Sequence, residues 1–227
     1  MAQPGAALRW LPPFVLGLWG AVLLQAWGSG RLNLLLQTDF HWLVLVSGLL
    51  LLALAGLAAR FAPKRRSGRT PALVMLLAAP LVLLIPPRPS FSTLAANRSS
   101  GALEGESETL TFLSPPEQRS LTEWVRYLRS QPDPDLVADN PVRISGFVWR
   151  QPEGPPLIAR LTVRCCLADA TPAGLAVEWP EWFTPKTNQW LAISGTMTVQ
   201  SRKDRRIPVV VPSSITPIER PERPLEP

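Results

Sequence analysis

The sequence predicts a membrane-embedded α-helical region followed by a small all-β domain, an OB-like barrel preceded by one helix. Three observations predict this arrangement. Uncharged apolar runs fill the first 90 residues, charged and polar residues return after them, and apolar and polar residues alternate from residue 141 onward. The average hydrophobic content of 46% over 227 residues therefore hides two very different halves.

Three apolar segments are predicted to cross a membrane: residues 11–29, 41–59 and 71–87. A membrane core about 30 Å thick requires roughly 20 apolar residues in a helix. The second segment fits that length, whereas the first and third are short and depend on flanking Trp, Thr and Pro. A cleaved signal peptide is the alternative for the first segment, but only Arg9 precedes it. Cleavage at residues 93–96, after the third segment, fits the small-residue rule slightly better.

The loops between these segments predict the orientation. The first loop holds only Arg31 and Asp39, whereas the second holds five basic residues: Arg60, Lys64, Arg65, Arg66 and Arg69. Short loops rich in Lys and Arg stay in the cytoplasm, and the same cluster can bind anionic headgroups on that side. We therefore expect a cytoplasmic N-terminus and an extracytoplasmic chain after Arg88.

His41 is the single histidine and lies at the outer edge of the second segment, beside Asp39. Ionisable residues at membrane depth are often functional, so His41 is a candidate site residue. Its position is interfacial rather than central, and anchoring beside Trp42 is the alternative.

Polar and small residues make 91–115 a predicted linker, and the Pro-rich residues 219–227 a tail. The extracytoplasmic domain between them, 116–218, is expected to begin with a helix that ends near Ser130. Ser114 is the predicted N-cap, followed by Pro115 at the first helical position and Glu117 three residues on. The helix carries an apolar stripe formed by Leu121, Trp124, Val125 and Leu128.

Five short strands are predicted from period-2 alternation bounded by Pro and Gly. They cover 142–149, 160–166, 175–177, 190–199 and 207–211, the last extended by Ile215. The sequence Ile-Ser-Gly occurs within two of these strands, ending at Gly146 and Gly195. Glycine inside a strand often marks a bulge or bend that lets a sheet curl. An OB-like barrel is therefore favoured, with a β-sandwich as the alternative.

The two cysteines, Cys165 and Cys166, are adjacent at the end of the second predicted strand. Strand alternation assigns Cys165 to the apolar face of Leu161 and Val163, which predicts a small core residue. Cys166 is then the functional candidate. A disulfide between them is not expected, because consecutive Cα atoms are only about 3.8 Å apart.

Cys165, Cys166 and Asp169 form a candidate thiolate site for a metal such as zinc. Zinc takes four N, S or O ligands and usually binds cysteines separated by two to four residues, so the site is incomplete by itself. Glu178, Glu181, His41 or a second chain would have to complete it.

No enzymatic activity is expected. The predicted soluble domain contains no His, which removes Ser-His-Asp and Cys-His arrangements. Trp179 and Trp182 are candidates for stacking on a ligand or lying at the membrane surface, with barrel packing as the alternative. The basic turn at 202–206 suits lipid headgroups better than nucleic acid, because the domain is expected outside the cytoplasm.

Four blocks of the sequence resemble the YcgQ-type family: 142–148, 159–170 with its Cys-Cys-Leu-Ala-Asp run, 174–177 and 190–195. Those bacterial membrane proteins are described as subunits of a two-component permease. They share N-terminal spans, a linker and a C-terminal domain with a Cys-Cys-x-x-Asp signature; Leu167 stands where a small residue is expected.

The resemblance implies a bacterial inner or plasma membrane and a larger, multi-span permease as partner. It implies the role of an accessory subunit whose outer domain binds a ligand or contacts the permease. A free-standing membrane-anchored binding module is the alternative.

Overall fold

A computed structural model describes residues 6–61, 69–85, 89–98, 114–131, 133–151, 154–202 and 205–226. The chain divides into two compact units, residues 1–88 and residues 89–227. The first is a helical unit and the second is a barrel unit, and each is described by itself.

The helical unit contains α1 (Ala6–Gly28), α2 (His41–Arg60) and α3 (Arg69–Leu84). Among the described residues, two stretches are long and apolar enough to cross a membrane: Trp10–Gly28 with 19 residues and Thr38–Arg60 with 23. The third predicted span corresponds to α3, which has 16 residues and is followed in sequence by two prolines. Two spans are therefore supported by the helix lengths, and α3 is shorter than a full membrane crossing.

Small residues let α1 and α2 approach each other closely. A Cβ on Gly20 would lie 3.0 Å from the carbonyl oxygen of Gly48, and a Cβ on Gly48 would lie 3.2 Å from that of Gly20. Helix α3 packs on α1, where Trp19 Nε1 donates to the Met75 carbonyl at 3.2 Å. Arg31, just beyond α1, donates to the Leu83 carbonyl at 3.1 Å. The C-terminal ends of α1 and α3 therefore lie on the same side of this unit.

In the part of the barrel unit that the structure describes there are six strands: β1 (Pro141–Trp149), β2 (Leu157–Thr162), β3 (Thr171–Val177), β4 (Trp190–Arg202), β5 (Arg205–Pro217) and β6 (Leu225–Glu226). The first five close in the order β1-β2-β3-β5-β4-β1, and all neighbours are antiparallel except β3 and β5. The predicted small five-stranded barrel is confirmed. Strand β6 adds to β2 in parallel.

Both Ile-Ser-Gly glycines lie where another backbone comes close. A Cβ on Gly146 would overlap the carbonyl oxygen of Ala159, and a Cβ on Gly195 would overlap that of Val211. The pairing of β4 with β5 shifts register between Ser194 and Gly195, so the predicted irregularity is a bulge there. At Gly146 the glycine instead lets β1 pass close to β2.

Helix α4 (Phe91–Ala96) lies in the segment predicted to be linker, and it packs on the barrel. The Phe91 ring is buried against Phe147 and Trp190, with ring centroids 5.7 and 5.6 Å away. Asn188 Oδ1 accepts from the backbone N–H groups of Phe91 and Ser92. The linker assignment was therefore wrong for 91–98, while 99–113 lie outside the described residues.

Helix α5 (Leu121–Ser130) precedes the barrel, and its predicted apolar stripe faces the barrel core. The predicted N-cap was wrong by six residues. Ser120 Oγ accepts from Glu123 N–H, and the Glu123 carboxylate accepts from Ser120 N–H at 2.7 Å. This reciprocal capping box satisfies two helix-end donors, which favours a start at Leu121. Ser114 donates to the Glu123 carboxylate instead.

The predicted tail also contributes to the barrel unit, because β6 is held by the buried Arg160. Its guanidinium donates to the Ser145 carbonyl at 2.8 Å and to the Pro224 carbonyl at 3.3 Å. Its Nε also lies 3.4 Å from a Glu226 carboxylate oxygen. Burial lowers the pKa of Arg160, and the opposite charge of Glu226 offsets only part of this shift. The buried cation therefore joins β1, β2 and the last residues of the chain.

Candidate metal centre

The candidate site lies on the loop between β2 and β3, and one carboxylate organises this loop. The Asp169 carboxylate accepts from the backbone N–H groups of Arg164 at 3.0 Å, Cys165 at 2.8 Å and Cys166 at 3.3 Å. Consecutive residues whose N–H groups all point at one side chain cannot alternate in a strand ladder. Strand β2 therefore ends at Thr162, earlier than predicted.

This loop changes where the cysteine side chains lie. Val163 is still buried, but Cys165 is exposed and Cys166 is half-buried. The prediction that Cys165 is a core residue was therefore wrong, since the apolar alternation stops at Val163. Both cysteines are free thiols.

A hydrogen bond joins the Cys165 thiol to the Asp169 carboxylate. Cys165 Sγ donates to Asp169 Oδ2 at 3.0 Å. This hydrogen bond, with a smaller contribution from Cys166, raises the pKa of Cys165 to about 12. Desolvation raises the pKa of Asp169, but the bonds from the thiol and the three backbone N–H groups lower it more. At neutral pH the pair is a neutral thiol beside a carboxylate.

Two sulfurs and a carboxylate oxygen converge in this loop. The ligand atoms of Cys165, Cys166 and Asp169 all lie within 4.8 Å of one another. Zinc–sulfur distances of about 2.3 Å and zinc–oxygen distances of about 2.1 Å place tetrahedral ligands roughly 3–4 Å apart. A small closure would therefore suffice for the three groups to hold one cation, with the protons of both thiols displaced and a fourth position open.

The acids predicted to complete the site are placed differently. Within the described residues, Glu178 and Glu181 are not part of the three-ligand group. The Glu178 carboxylate instead accepts from the Gln200 side chain at 2.6 Å, and Glu181 is exposed. His41 lies in the helical unit at the start of α2, where its Nε2 is 3.3 Å from the Leu36 carbonyl oxygen.

The two candidate tryptophans have different environments. Trp179 Nε1 donates to the Pro156 carbonyl at 2.8 Å, and its ring stacks on Phe183 against the core. That environment indicates barrel packing for Trp179. Trp182 is 71% exposed and touches only the edge of Phe183 among the ring contacts of the described residues.

Sequence reasoning missed Arg98, which reaches the same loop from the segment after α4. Its Nη1 donates to the carbonyls of Leu167 at 2.7 Å and Ala170 at 2.9 Å. No periodicity or motif marks Arg98, because it falls in a stretch that looks like linker. Only the docking of α4 brings it to the loop.

A groove of about 510 Å³ lies elsewhere on the barrel unit. It is lined by the turn before α5 and by β1, β4 and β5, including Glu117, Arg143, Ser194 and Ser213. Its lining contains none of the predicted site residues. The convergent ligand atoms, rather than this open groove, define the candidate centre.

The comparisons with known proteins concern the barrel unit. No curated protein and no solved structure matches the chain. Residues 121–225, which run from α5 to β6 and include the Cys165–Asp169 loop, match the family described as DUF1980 C-terminal domain. The barrel unit is thus similar to the DUF1980 C-terminal domain, and this match fits the resemblance to the YcgQ-type family.

Proposed function

We propose that this protein is a membrane-anchored metal-binding subunit that works with a multi-span permease. Its barrel unit presents the Cys165–Asp169 loop to a thiophilic divalent cation such as zinc. The observation that carries the proposal is the convergence of two sulfurs and one carboxylate within 4.8 Å on an accessible loop.

The donor set favours a thiophilic metal. Thiolates select zinc, copper(I) and similar ions, whereas magnesium and calcium prefer sites made of oxygen ligands alone. Binding to Cys165 requires loss of its proton, so metal binding releases protons. The fourth ligand is water in the free protein or a side chain of the permease in the complex.

The proposal is for binding rather than catalysis. The reactive form of a cysteine is the thiolate, and the pKa of Cys165, raised to about 12, keeps that thiol protonated at neutral pH. A neutral thiol is a poor nucleophile, and it becomes a metal ligand only when the cation displaces its proton.

The membrane arrangement we propose has three spans, with α3 as the third. The contact of Arg31 with the end of α3 supports an up-down-up arrangement in which the chain leaves on the side opposite its N-terminus. The basic loop between α2 and α3 favours the cytoplasm; Lys64–Arg66 lie outside the described residues. The barrel unit is then extracytoplasmic in a bacterial inner or plasma membrane, away from nucleic acid.

The strand order supports classifying the barrel as OB-like, since it is a five-stranded closed barrel with one parallel pair. OB-type barrels bind their ligands on the face of strands 2 and 3 and on the loops between strands 1 and 2 and between strands 4 and 5. The Cys165–Asp169 loop joins strands 2 and 3, so it lies at one end of that face and not on either of those loops. The metal-binding proposal therefore rests on the ligand atoms themselves.

The permease partnership rests on the family resemblance and on the size of the helical unit. Three short helices offer little room for a conduction path. A free-standing binding module is the second candidate. The three-residue ligand set favours it because a side chain of any other protein could supply the fourth ligand. Extraction in gentle detergent followed by identification of co-purified proteins separates them, because recovery of this chain alone would favour the module.

Zinc titration of the purified full-length chain in detergent tests metal binding. A metal present at 100 times its dissociation constant stabilises a protein by about 2.7 kcal/mol, so we expect a clear rise in melting temperature. Cys166→Ser and Asp169→Asn should lose the rise. Glu181→Gln, an exposed acid outside the group, should keep it. A wild-type melting curve that zinc does not change would reject the proposal.

Reporter fusions test the orientation. Alkaline phosphatase fused after residue 227 should be active, and a fluorescent protein that matures only in the cytoplasm should stay dark. The reverse pattern would place the barrel unit in the cytoplasm.

A further inference from the structure

We infer that Arg98 is a positioning residue for the Cys165–Asp169 loop, and that α4 connects this loop to the chain leaving the helical unit. The inference rests on the proposed function, because this loop is the proposed metal site. Among the described interactions, Arg98 bonds backbone carbonyls of the loop and does not contact the ligand atoms of Cys165, Cys166 or Asp169.

The guanidinium of Arg98 bridges the two ends of a short turn. Nη1 donates to the Leu167 carbonyl at 2.7 Å and to the Ala170 carbonyl at 2.9 Å. These carbonyls flank the 3₁₀ turn Leu167–Asp169, which carries the organising carboxylate. Hydrogen bonds from a charged donor are shorter and stronger than neutral ones, so one nitrogen fixes both ends of the turn.

The turn depends on this bridge because its own closing bond is weak. The Ala170 N–H group donates to the Leu167 carbonyl over 3.4 Å, at the long limit for such a bond. The Asp169 N–H group donates to the Cys166 carbonyl at 3.0 Å, which orders only the first half. Without Arg98, the orientation of the Asp169 carboxylate toward the backbone of 164–166 loses its external support.

Helix α4 holds Arg98 in place from its other end. Phe91, at the start of α4, is buried among aromatic rings, and Asn188 accepts from the first two N–H groups of the helix. Arg98 follows two residues after the helix ends at Ala96. This short element is therefore attached to the barrel at one end and to the metal loop at the other, so a displacement of α4 moves the donor that holds the loop.

The test compares Arg98→Ala, Arg98→Lys and the control Arg150→Ala in the full-length protein in detergent. Arg150 is an exposed arginine beyond β1. Cadmium affinity is measured from the sulfur-to-cadmium charge-transfer absorption, and amide hydrogen exchange of 163–170 is measured without metal. Loss of an outer-shell partner typically weakens metal binding 10–100-fold, and we expect that decrease for Arg98→Ala, with faster exchange in the loop.

Arg98→Lys should restore most of the affinity, because one nitrogen makes both bonds and a lysine Nζ can replace it. Arg150→Ala should match the wild type. Unchanged cadmium affinity and unchanged loop exchange in Arg98→Ala would overturn the inference and leave the proposed function standing. A wild-type protein that binds no cadmium would instead refute the proposed function itself.

A milder variant tests the connection through α4. Phe91→Leu keeps an apolar side chain in the aromatic pocket and should loosen α4 without unfolding the barrel. We expect faster hydrogen exchange in 163–170 together with faster exchange in α4. Loop exchange that stays at the wild-type rate while α4 exchanges faster would overturn the connection.

Discussion

Leucine side chains occupy different environments in the two units of this chain. Leu191 in the barrel unit is 0% exposed, whereas Leu77 in α3 is 64% exposed. Burial of apolar surface away from water drives the packing of the barrel. Leucines that are exposed along the whole length of a helix are typical of a helix surrounded by apolar groups. The same residue type is therefore buried in the core of one unit and exposed on the surface of the other, which is consistent with the proposed membrane location of the helical unit.

The packing of helices differs from the packing of the barrel core. The barrel core is filled by large side chains such as Trp124 and Leu191. The helical unit brings α1 and α2 together where Gly20 and Gly48 have no side chain. Removing atoms should harm the barrel, and adding atoms should harm the helix pair.

The largest effect is expected from Trp124→Ala. Trp124 is fully buried, and deleting its ring should destabilise the barrel unit by about 3–5 kcal/mol. The matched change Leu50→Ala, at an exposed position on α2, should stay within about 0.5 kcal/mol. Melting of the full-length variants in detergent, followed by far-UV circular dichroism, measures both. Equal losses would remove the contrast between the units.

Arg160→Ala should have the next largest effect, about 3 kcal/mol, because it leaves Glu226 and the Ser145 carbonyl without their buried cation. Chemical denaturation of the full-length protein measures the loss. The exposed Arg150→Ala is the control and should change the free energy of unfolding little. A tolerated Arg160→Ala would show that the last strand is held by backbone pairing alone.

Gly48→Leu should weaken the contact of α1 with α2 by about 1–3 kcal/mol, since added atoms cannot fit against Gly20. Gly56→Leu is the matched control on the same helix, because no atom lies within 4 Å of a Cβ there. Disulfide crosslinking between cysteines introduced into α1 and α2 measures helix proximity. Crosslinking that survives Gly48→Leu as well as Gly56→Leu would contradict close glycine packing.

The smallest stability effect is expected at Cys165, because its side chain is exposed and Cys165→Ala removes little packing, so the melting temperature should stay nearly unchanged. Its reactivity should change more. A pKa of about 12 keeps the thiol protonated at pH 8, and Asp169→Asn removes the main cause, so alkylation of Cys165 should become at least about tenfold faster. Mass spectrometry of alkylated protein in a Cys166→Ser background measures the rate. Equal rates with and without the Asp169→Asn change would exclude the thiol–carboxylate bond.

The same carboxylate predicts an acid dependence. The pKa of Asp169 is lowered in the folded protein, so its contribution to loop stability is present above its unfolded value of about 3.9. That contribution disappears as the pH falls through the folded pKa. Asp169→Asn should therefore flatten the loss of stability below about pH 4, as measured by melting temperature against pH.

Local patterns predicted the parts of the fold that local forces determine. The alternation around Ile144 and Ile193 identified β1 and β4, and the spacing of Leu121, Trp124 and Val125 identified α5. Cys165, Cys166 and Asp169 were expected to lie together and do, while metal binding stays a prediction.

Two failures have a physical cause in particular side chains. Alternation predicted that β2 would continue to Cys166, but the Asp169 carboxylate takes the backbone N–H groups that a strand would use. Asp side chains that bond nearby backbone are a known competitor of strands, so this signal was available in the sequence. The docking of Phe91 and the pairing of Leu225 depend on contacts with residues far away in sequence, which no local pattern contains.

The attachment of α4 has a consequence for how the protein folds. Phe91 and its hydrogen-bond acceptor Asn188 are 97 residues apart in sequence, so their contact closes a very long loop. Loop closure of this length is entropically costly before it gains any contact. Docking of α4 should therefore follow closure of the barrel, and Phe91→Leu should speed unfolding while leaving the refolding rate nearly unchanged. During synthesis, α4 can therefore dock only after Asn188 and the adjoining β4 have been made, and Arg98 reaches its loop only after that docking.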